Sequence, residues 1–322
     1  MLRSIGRRAD GSALDISPPA KQFATVIESK LTRLRELLKS FDSCLVAYSG
    51  GVDSVFLAQV AHQVLAGRAL AAIADSPSLP RRELEEALAI AAQFDFPVRV
   101  VRTQEFANSA YLANPANRCY FCKHELFTEL TPLARELDFK VIAYGENASD
   151  VGDFRPGAKA AEEFQVRAPL KEVGLTKAEI RTLSAQLGLP TTDKPQMACL
   201  SSRIPHGETV TEAKLKMIET AENLLRDLGF YDVRVRHHEI SSPVNAAATQ
   251  PLPSATPLTS PPRSALARVE VGVAEMPRLL DPVMAARVAE DLKRAGYLYV
   301  TLDLQGYRRG GANDLTLKPA QA

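Results

Sequence analysis

The string Ser49-Gly50-Gly51-Val52-Asp53-Ser54 constrains this chain more than any other feature. An apolar run, residues 43–48, leads into it, and an apolar-rich stretch, residues 53–63, leads out. That order reads as a buried strand, a glycine turn and a helix. Strands are expected again at residues 68–75, 97–102 and 139–145, and helices at 22–40, 80–94 and 119–137. Strands alternating with helices predict an α/β fold: a parallel sheet with helices on both faces. Ligands of such sheets bind beyond the carboxyl ends of the strands, where Ser49, Asp75 and Gly145 fall.

After residue 145 the pattern changes. Residues 147–163 are polar and contain glycine, which predicts a loop. Thr176-Lys177-Ala178-Glu179 is a capping box, so a helix starts there and stops at Gly188. A helix at 211–228, closed by Gly229, is followed by alternating segments at 231–238, 265–273 and 297–304, with a further helix at 281–295. A smaller α+β domain is therefore expected. The predicted division is an extension at 1–21, an α/β domain at 22–205, and an α+β domain at 206–322. Residues 241–264, rich in Pro, Ser, Thr and Ala, read as a mobile insertion at a hairpin tip.

The 322 residues carry a net charge of +1, which does not point to nucleic acid and weakens a tRNA partner without excluding it. No apolar run is long enough to span a bilayer, and the first residues lack the apolar stretch of a secretion signal. A cytoplasmic location is expected, and there cysteines serve metals or catalysis more often than disulfides. Cys44 sits among apolar neighbours and reads as core. Cys119 and Cys122 form a C-x-x-C pair, and Cys199 lies far downstream. Three thiolates can hold a [4Fe–4S] cluster with one iron left open. The competing readings are a zinc site completed by His124 or His206, and a set in which Cys199 alone is active. His237 and His238 lie on an alternating strand and should point to opposite faces.

The glycine loop suits a phosphate. Its glycines let several N–H groups converge on one anion, the helix start adds positive potential, and Ser49 and Ser54 add hydroxyls. Asp53 would be repelled by bare phosphate and is assigned to Mg²⁺. The chain has no Walker motif, so no loop lysine serves the terminal phosphates. SGGVDS instead resembles the pyrophosphate loop (PP-loop) of the N-type ATP pyrophosphatases, which transfer AMP to a carboxylate or amide oxygen. The resemblance also places Asp75 and Ser76 beside adenosine, although a plain turn would look the same.

The resemblance narrows further along the chain. Gly145-Glu146-Asn147-Ala148-Ser149-Asp150-Val151-Gly152-Asp153-Phe154-Arg155-Pro156-Gly157 is similar to the "GTNADDxGDYRPG" segment of the LarE-type sulfur transferases. Ala198-Cys199-Leu200-Ser201-Ser202-Arg203 resembles that family's cysteine loop. The strands bearing Arg236 and Glu270, and the string from Asp303 to Arg308, resemble its carboxyl-terminal signatures. Two departures stand out: Glu146 replaces the usual Thr, and 241–264 interrupts a usually compact region.

The resemblance implies an enzyme that uses ATP to adenylate the two carboxylates of a pyridinium dicarboxylic acid mononucleotide. Sulfur then replaces oxygen, giving the precursor of a nickel-pincer nucleotide. One variant of the family sacrifices its own cysteine sulfur. The other uses three cysteines and an iron–sulfur cluster fed by a sulfide donor, and Cys119, Cys122 and Cys199 match that pattern. Asp53, with Asp150 or Asp153, would then hold Mg²⁺. Arg155 and Arg203 would grip the AMP phosphate or the substrate carboxylate. Arg236 and Glu270 would hold the substrate's own phosphate, or else simply pair with each other. A homo-oligomer is implied by resemblance alone. The rival readings are a tRNA thiolase, an ammonia-using synthetase and a nucleotide-binding module without catalysis.

Overall fold

The computed structural model describes residues 19–150, 156–195, 198–240 and 265–308. The expected insertion at 241–264, and Asp153 and Arg155, lie outside the described residues. Four strands, β1 (Cys44–Tyr48), β2 (Ala69–Asp75), β3 (Val98–Arg102) and β4 (Val141–Tyr144), form a wholly parallel sheet in the order β3-β2-β1-β4. The chain winds from β1 outward to β3, then returns to place β4 on the other side of β1. This reversal opens a crevice beyond the carboxyl end of β1.

Both faces of the sheet are covered, as parallel sheets require. Val46 and Ile73 face one core, built with α2 (Val52–Leu65), α3 (Arg81–Gln93) and α8 (Lys177–Gln186). Leu45 and Ala72, one residue out of phase, face a second core with Phe127 and Leu130 of α5 (Arg118–Glu136). Outside α2 lies α1 (Pro19–Ser40), whose Ile27, Leu31, Leu34 and Leu38 recur at helical spacing and bury one stripe. It starts at Pro19, three residues inside the segment expected to be an extension. The capping box at Thr176 forms with both of its bonds.

One expectation fails within the described residues. The stretch at 147–163 is not all loop: its second half is helix α6 (Pro156–Glu163). Pro-Gly reads as a turn, but proline at a helix start has its φ already set. Ala160 and Ala161 then bury against the core containing α5. Three single turns also escape periodicity: α4 (Ser109–Leu112), α7 (Pro169–Glu172) and α10 (Met276–Leu279).

The second sheet joins β5 (Val233–Glu239), antiparallel to β6 (Ala265–Val271), with β7 (Tyr299–Leu302) parallel to β6 on its other side. Register runs from Val233 opposite Val271 to Glu239 opposite Ala265. Helices α9 (Glu212–Asp227) and α11 (Pro282–Arg294) supply Leu225 and Leu292 to its core. Among the described residues, no helix is long and apolar enough to cross a membrane.

Candidate active site

The glycine loop leaves β1 and turns directly into α2. Gly50 takes φ +71°, and a Cβ there would lie 2.7 Å from Cβ of Ala87, so the loop is pressed against α3. On the other side, a Cβ at Gly145 would stand 3.0 Å from the Ser54 nitrogen. Both glycines allow a close backbone approach that a side chain would block. The Ser54 hydroxyl donates to the Gly51 carbonyl at 3.1 Å and accepts from the Ser49 amide at 3.1 Å. The loop is thus braced internally, and it leads into the first turn of α2, whose backbone N–H groups have no intrahelical acceptor.

Asp53 stands in that first turn. Its Oδ2 accepts from Lys177 Nζ at 2.7 Å, and its buried Oδ1 has no partner in hydrogen-bonding geometry, although Asn147 lies close by. Burial pushes the Asp53 carboxyl above its ordinary range; Lys177 opposes this, and the Asp150 carboxylate adds to it. An orphaned acceptor beside a second carboxylate fits a divalent cation, which takes oxygen ligands. The Asp150 carboxylate is close enough to Asp53 to act on its charge.

A cavity of about 590 Å³ runs from this loop across the strand ends, within the size range of small-molecule sites. Ser49 lines one part of it, and Cys122 and Cys199 line another. Between them lies the turn after β2. Ser76 and Ser78 share a hydrogen bond of 2.8 Å, and Ser78 donates to Glu105 at 3.2 Å. Glu105 is buried, and its Oε2 has no partner. Asp75 pairs with Arg81, which also donates to the Ser76 carbonyl at 2.7 Å. The Ser78 carbonyl accepts from the Leu200 amide at 2.8 Å, which ties the cysteine loop to the turn where adenosine was expected.

The downstream Cys199 lies close enough to the Cys119–Cys122 pair for their charges to interact. Arg118, buried at the start of α5, donates to the Ser201 carbonyl at 2.9 Å, and its Nη2 lies 3.8 Å from Cys199 Sγ. Burial works to lower the Arg118 guanidinium, but Cys199, Cys119 and Cys122 around it hold it above its ordinary value. Cys119 is exposed at the rim, and Cys122 and Cys199 are half-buried. Desolvation pushes the Cys119 thiol up, and neighbouring Cys199 pushes it further. Cys122 is raised by burial, then by Cys199 and Glu105. Tyr111 closes the floor, its hydroxyl 2.7 Å from Ser201 Oγ.

Among the described residues, no three or more His, Cys, Asp or Glu side chains gather closely enough to ligate one metal ion. The Arg118 guanidinium offsets part of the charge of any thiolate formed beside it. His124 does not complete a zinc set; its ring packs against Tyr120 and Phe164. Cys44 is core, and burial raises its thiol to about 12.

Three charged residues sit in buried ion pairs. Arg203 is 2% exposed and makes a two-pronged pair with Glu222, at 2.8 and 3.0 Å. Its remaining nitrogen donates to the carbonyls of Ala198 and Cys199. Arg203 thus ties the cysteine loop to Glu222 while still lining the cavity. Arg236 and Glu270 likewise close on each other at 2.9 and 3.0 Å, and Arg236 donates its third nitrogen to the Ser202 carbonyl. They form an ion pair under the same loop. His237 is buried against Tyr297, and His238 lies on the opposite face of β5, as alternation requires.

Glu146, the residue that departs from the family pattern, is buried and receives the Tyr144 hydroxyl and, at 3.0 Å, Lys171 Nζ. Burial would raise its carboxyl, but these donors hold it below the ordinary range. The sequence reading missed Arg118, Lys177, Tyr111 and Glu105. Arg118 adjoins Cys119, and a cation beside a thiol pair was a usable signal. The other three carry no local signature.

No family model matches the chain. An uncharacterised protein of Synechocystis sp. is 41% identical over 293 residues, covering 91% of this chain and 100% of that protein. The pyridinium-3,5-bisthiocarboxylic acid mononucleotide synthase of Lactiplantibacillus plantarum is 31% identical over 300 residues, covering 92% of this chain and 98% of the synthase. A glutamine-hydrolyzing GMP synthase of Chlamydia caviae is 26% identical over 52% of this chain and 35% of its own length.

Proposed function

The chain belongs to the LarE family, that of pyridinium-3,5-bisthiocarboxylic acid mononucleotide synthase, and from that premise we propose an ATP-dependent sulfurtransferase acting on the carboxylates of a pyridinium mononucleotide. The observation that carries this reading is one cavity lined by Ser49, at the head of the glycine loop, and by Cys122 and Cys199. A carboxylate is a poor electrophile because its leaving group would be oxide. Its oxygen attacks the α-phosphorus of ATP, pyrophosphate departs into the Ser49–Ser54 loop, and an acyl adenylate remains. A sulfur nucleophile then attacks the acyl carbon, and AMP leaves with the former carboxylate oxygen.

The residues divide the work by location. Gly50 and Gly51 let backbone N–H groups face the pyrophosphate, with Ser49 at the rim. Asp53 and Asp150 would hold Mg²⁺, which neutralises phosphate charge. The turn at Asp75 and Ser76 flanks the nucleotide. Cys119, Cys122 and Cys199 would hold a [4Fe–4S] cluster, which supplies sulfur to the activated carbonyl. Arg118 balances the thiolates, and Arg203 and Arg236 fix the backbone that presents Cys199. Asp153 and Arg155 stay as proposed ligands by resemblance.

The test starts from protein purified without oxygen. Iron, labile sulfide and an absorption band near roughly 400 nm should be present. Alanine at Cys119, Cys122 or Cys199 should remove the iron and sulfur transfer while sparing ATP–pyrophosphate exchange. Full sulfur transfer by any one of these variants would refute the three-thiol arrangement. Iron-free protein that still forms thiocarboxylate would shift the role to Cys199 as sacrificial donor, whose Sγ lies 3.8 Å from Arg118 Nη2.

A further inference from the structure

The phosphate loop has no lysine of its own, yet an ammonium group stands in it. Lys177 Nζ lies 2.7 Å from Asp53 Oδ2, across 124 residues of sequence. Neither partner is an open surface group: Lys177 is 26% exposed and Asp53 is 19% exposed. Lys177 is the first residue of α8, and its position is fixed on both sides. Its amide donates to Ser149 Oγ at 3.0 Å, and Thr176 before it closes the capping box. Ser149 belongs to the turn between Asn147 and Asp150, where the Asn147 amide donates to Asp150 Oδ2 at 3.1 Å. The Ala148 amide donates to the Leu175 carbonyl at 2.8 Å, so this turn and the start of α8 are fastened together.

Asp53 and Asp150 are therefore neighbouring carboxylates in a half-buried crevice, and such a pair calls for a cation. In this structure the cation on Asp53 is Lys177. A divalent ion serving a nucleotide would take these same oxygens, including the orphaned Oδ1 of Asp53. An ammonium on a flexible four-carbon stem can then turn to the nearest arriving negative charge, the pyrophosphate of the nucleotide.

We propose that Lys177 is a placeholder cation, pairing with Asp53 until metal and nucleotide arrive together and then moving to the β- and γ-phosphates. The inference rests on reading the loop as an ATP site. It makes metal binding conditional on nucleotide: free metal must displace the lysine, whereas nucleotide offers the lysine a new partner.

The experiment compares the full-length protein with Lys177→Met and Lys177→Arg. Mn²⁺ alone is titrated by electron paramagnetic resonance, and α,β-methylene-ATP with Mg²⁺ by calorimetry. Lys177→Met should bind Mn²⁺ about tenfold or more tighter than wild type, since a unit charge next to the carboxylates is removed. The same variant should bind the nucleotide analogue about tenfold or more weaker. Lys177→Arg, which keeps the charge, should stay near wild type for Mn²⁺. Adding Asp53→Asn to Lys177→Met should abolish the gain, which assigns the metal to this loop. Unchanged Mn²⁺ affinity in Lys177→Met would overturn the proposal. Tighter Mn²⁺ with unchanged nucleotide affinity would also overturn it, leaving Lys177 a structural tie. The capping box does not use the Lys177 side chain, and a thermal melt checks that the fold persists; Lys177→Gln gives the same reading if Met is not tolerated. Neither readout needs an acyl acceptor or sulfur, so both stay legible if the sulfurtransferase reading fails.

Discussion

Beyond the carboxyl ends of β1 and β3, buried oxygens are left open: Oδ1 of Asp53 and Oε2 of Glu105 have no partner. On β5 and β6, and on the elements packed beside them, the charges mostly close on one another. Arg236 pairs with Glu270, Arg268 with Asp303 and Arg203 with Glu222, although Arg268 Nε and His238 Nε2 remain unpartnered. Both regions look equally suited to an anionic substrate when residue types alone are counted. The difference lies in what the charges already touch. A buried pair with both partners satisfied fixes backbone; a buried acceptor without a donor is kept for a ligand or a metal.

Substitutions can break that contrast. Asp53→Ala should have the largest effect, lowering ATP–pyrophosphate exchange by about 10³-fold because the metal loses its anchor. Its urea unfolding midpoint should stay near wild type. Arg203→Ala should do the reverse, costing about 3–5 kcal/mol of stability because it strands Glu222 without a counter-charge. Replacing both residues, Arg203→Met with Glu222→Met, should recover most of that loss. A large exchange defect in a well-folded Arg203→Ala protein would put Arg203 back among the ligand-binding groups.

The buried His237 gives a pH dependence. Burial lowers its imidazole to about 4 from an ordinary 6.5. The unfolded chain therefore binds the extra proton between these values, and stability falls as pH drops from 6.5 towards 4. The effect is at most about 3 kcal/mol, and His237→Phe should flatten that part of the curve. Denaturant midpoints between pH 7 and pH 4 would measure it.

The smallest effects come from glycines. Gly50→Ala should cost roughly 2 kcal/mol, combining a left-handed backbone with the approach to Ala87. Gly174→Ala, at a similar φ of +72° with nothing within 4 Å, should cost only roughly 1 kcal/mol. Equal losses would mean that the loop is not packed against α3 as tightly as described.

The parallel sheet was legible because buried strands, glycine turns and amphipathic helices announce themselves within a few residues. The glycine turn between β1 and α2 was legible for the same reason, as was the capping box at Thr176. Helix α6 was hidden because Pro156-Gly157 is also turn chemistry. Its helical state depends on packing Ala160 and Ala161 against a core that contains α5.

By itself, then, the sequence determined the order of elements, the loop after β1 and the identity of the three thiols. Only the tertiary structure decided which charges are used up and which are held open. Arg118 reaches Cys199 across 81 residues, and Lys177 reaches Asp53 across 124. Local periodicity carries no record of such pairs, because they form only when separate elements close around the same crevice and each buried charge takes the partner within reach.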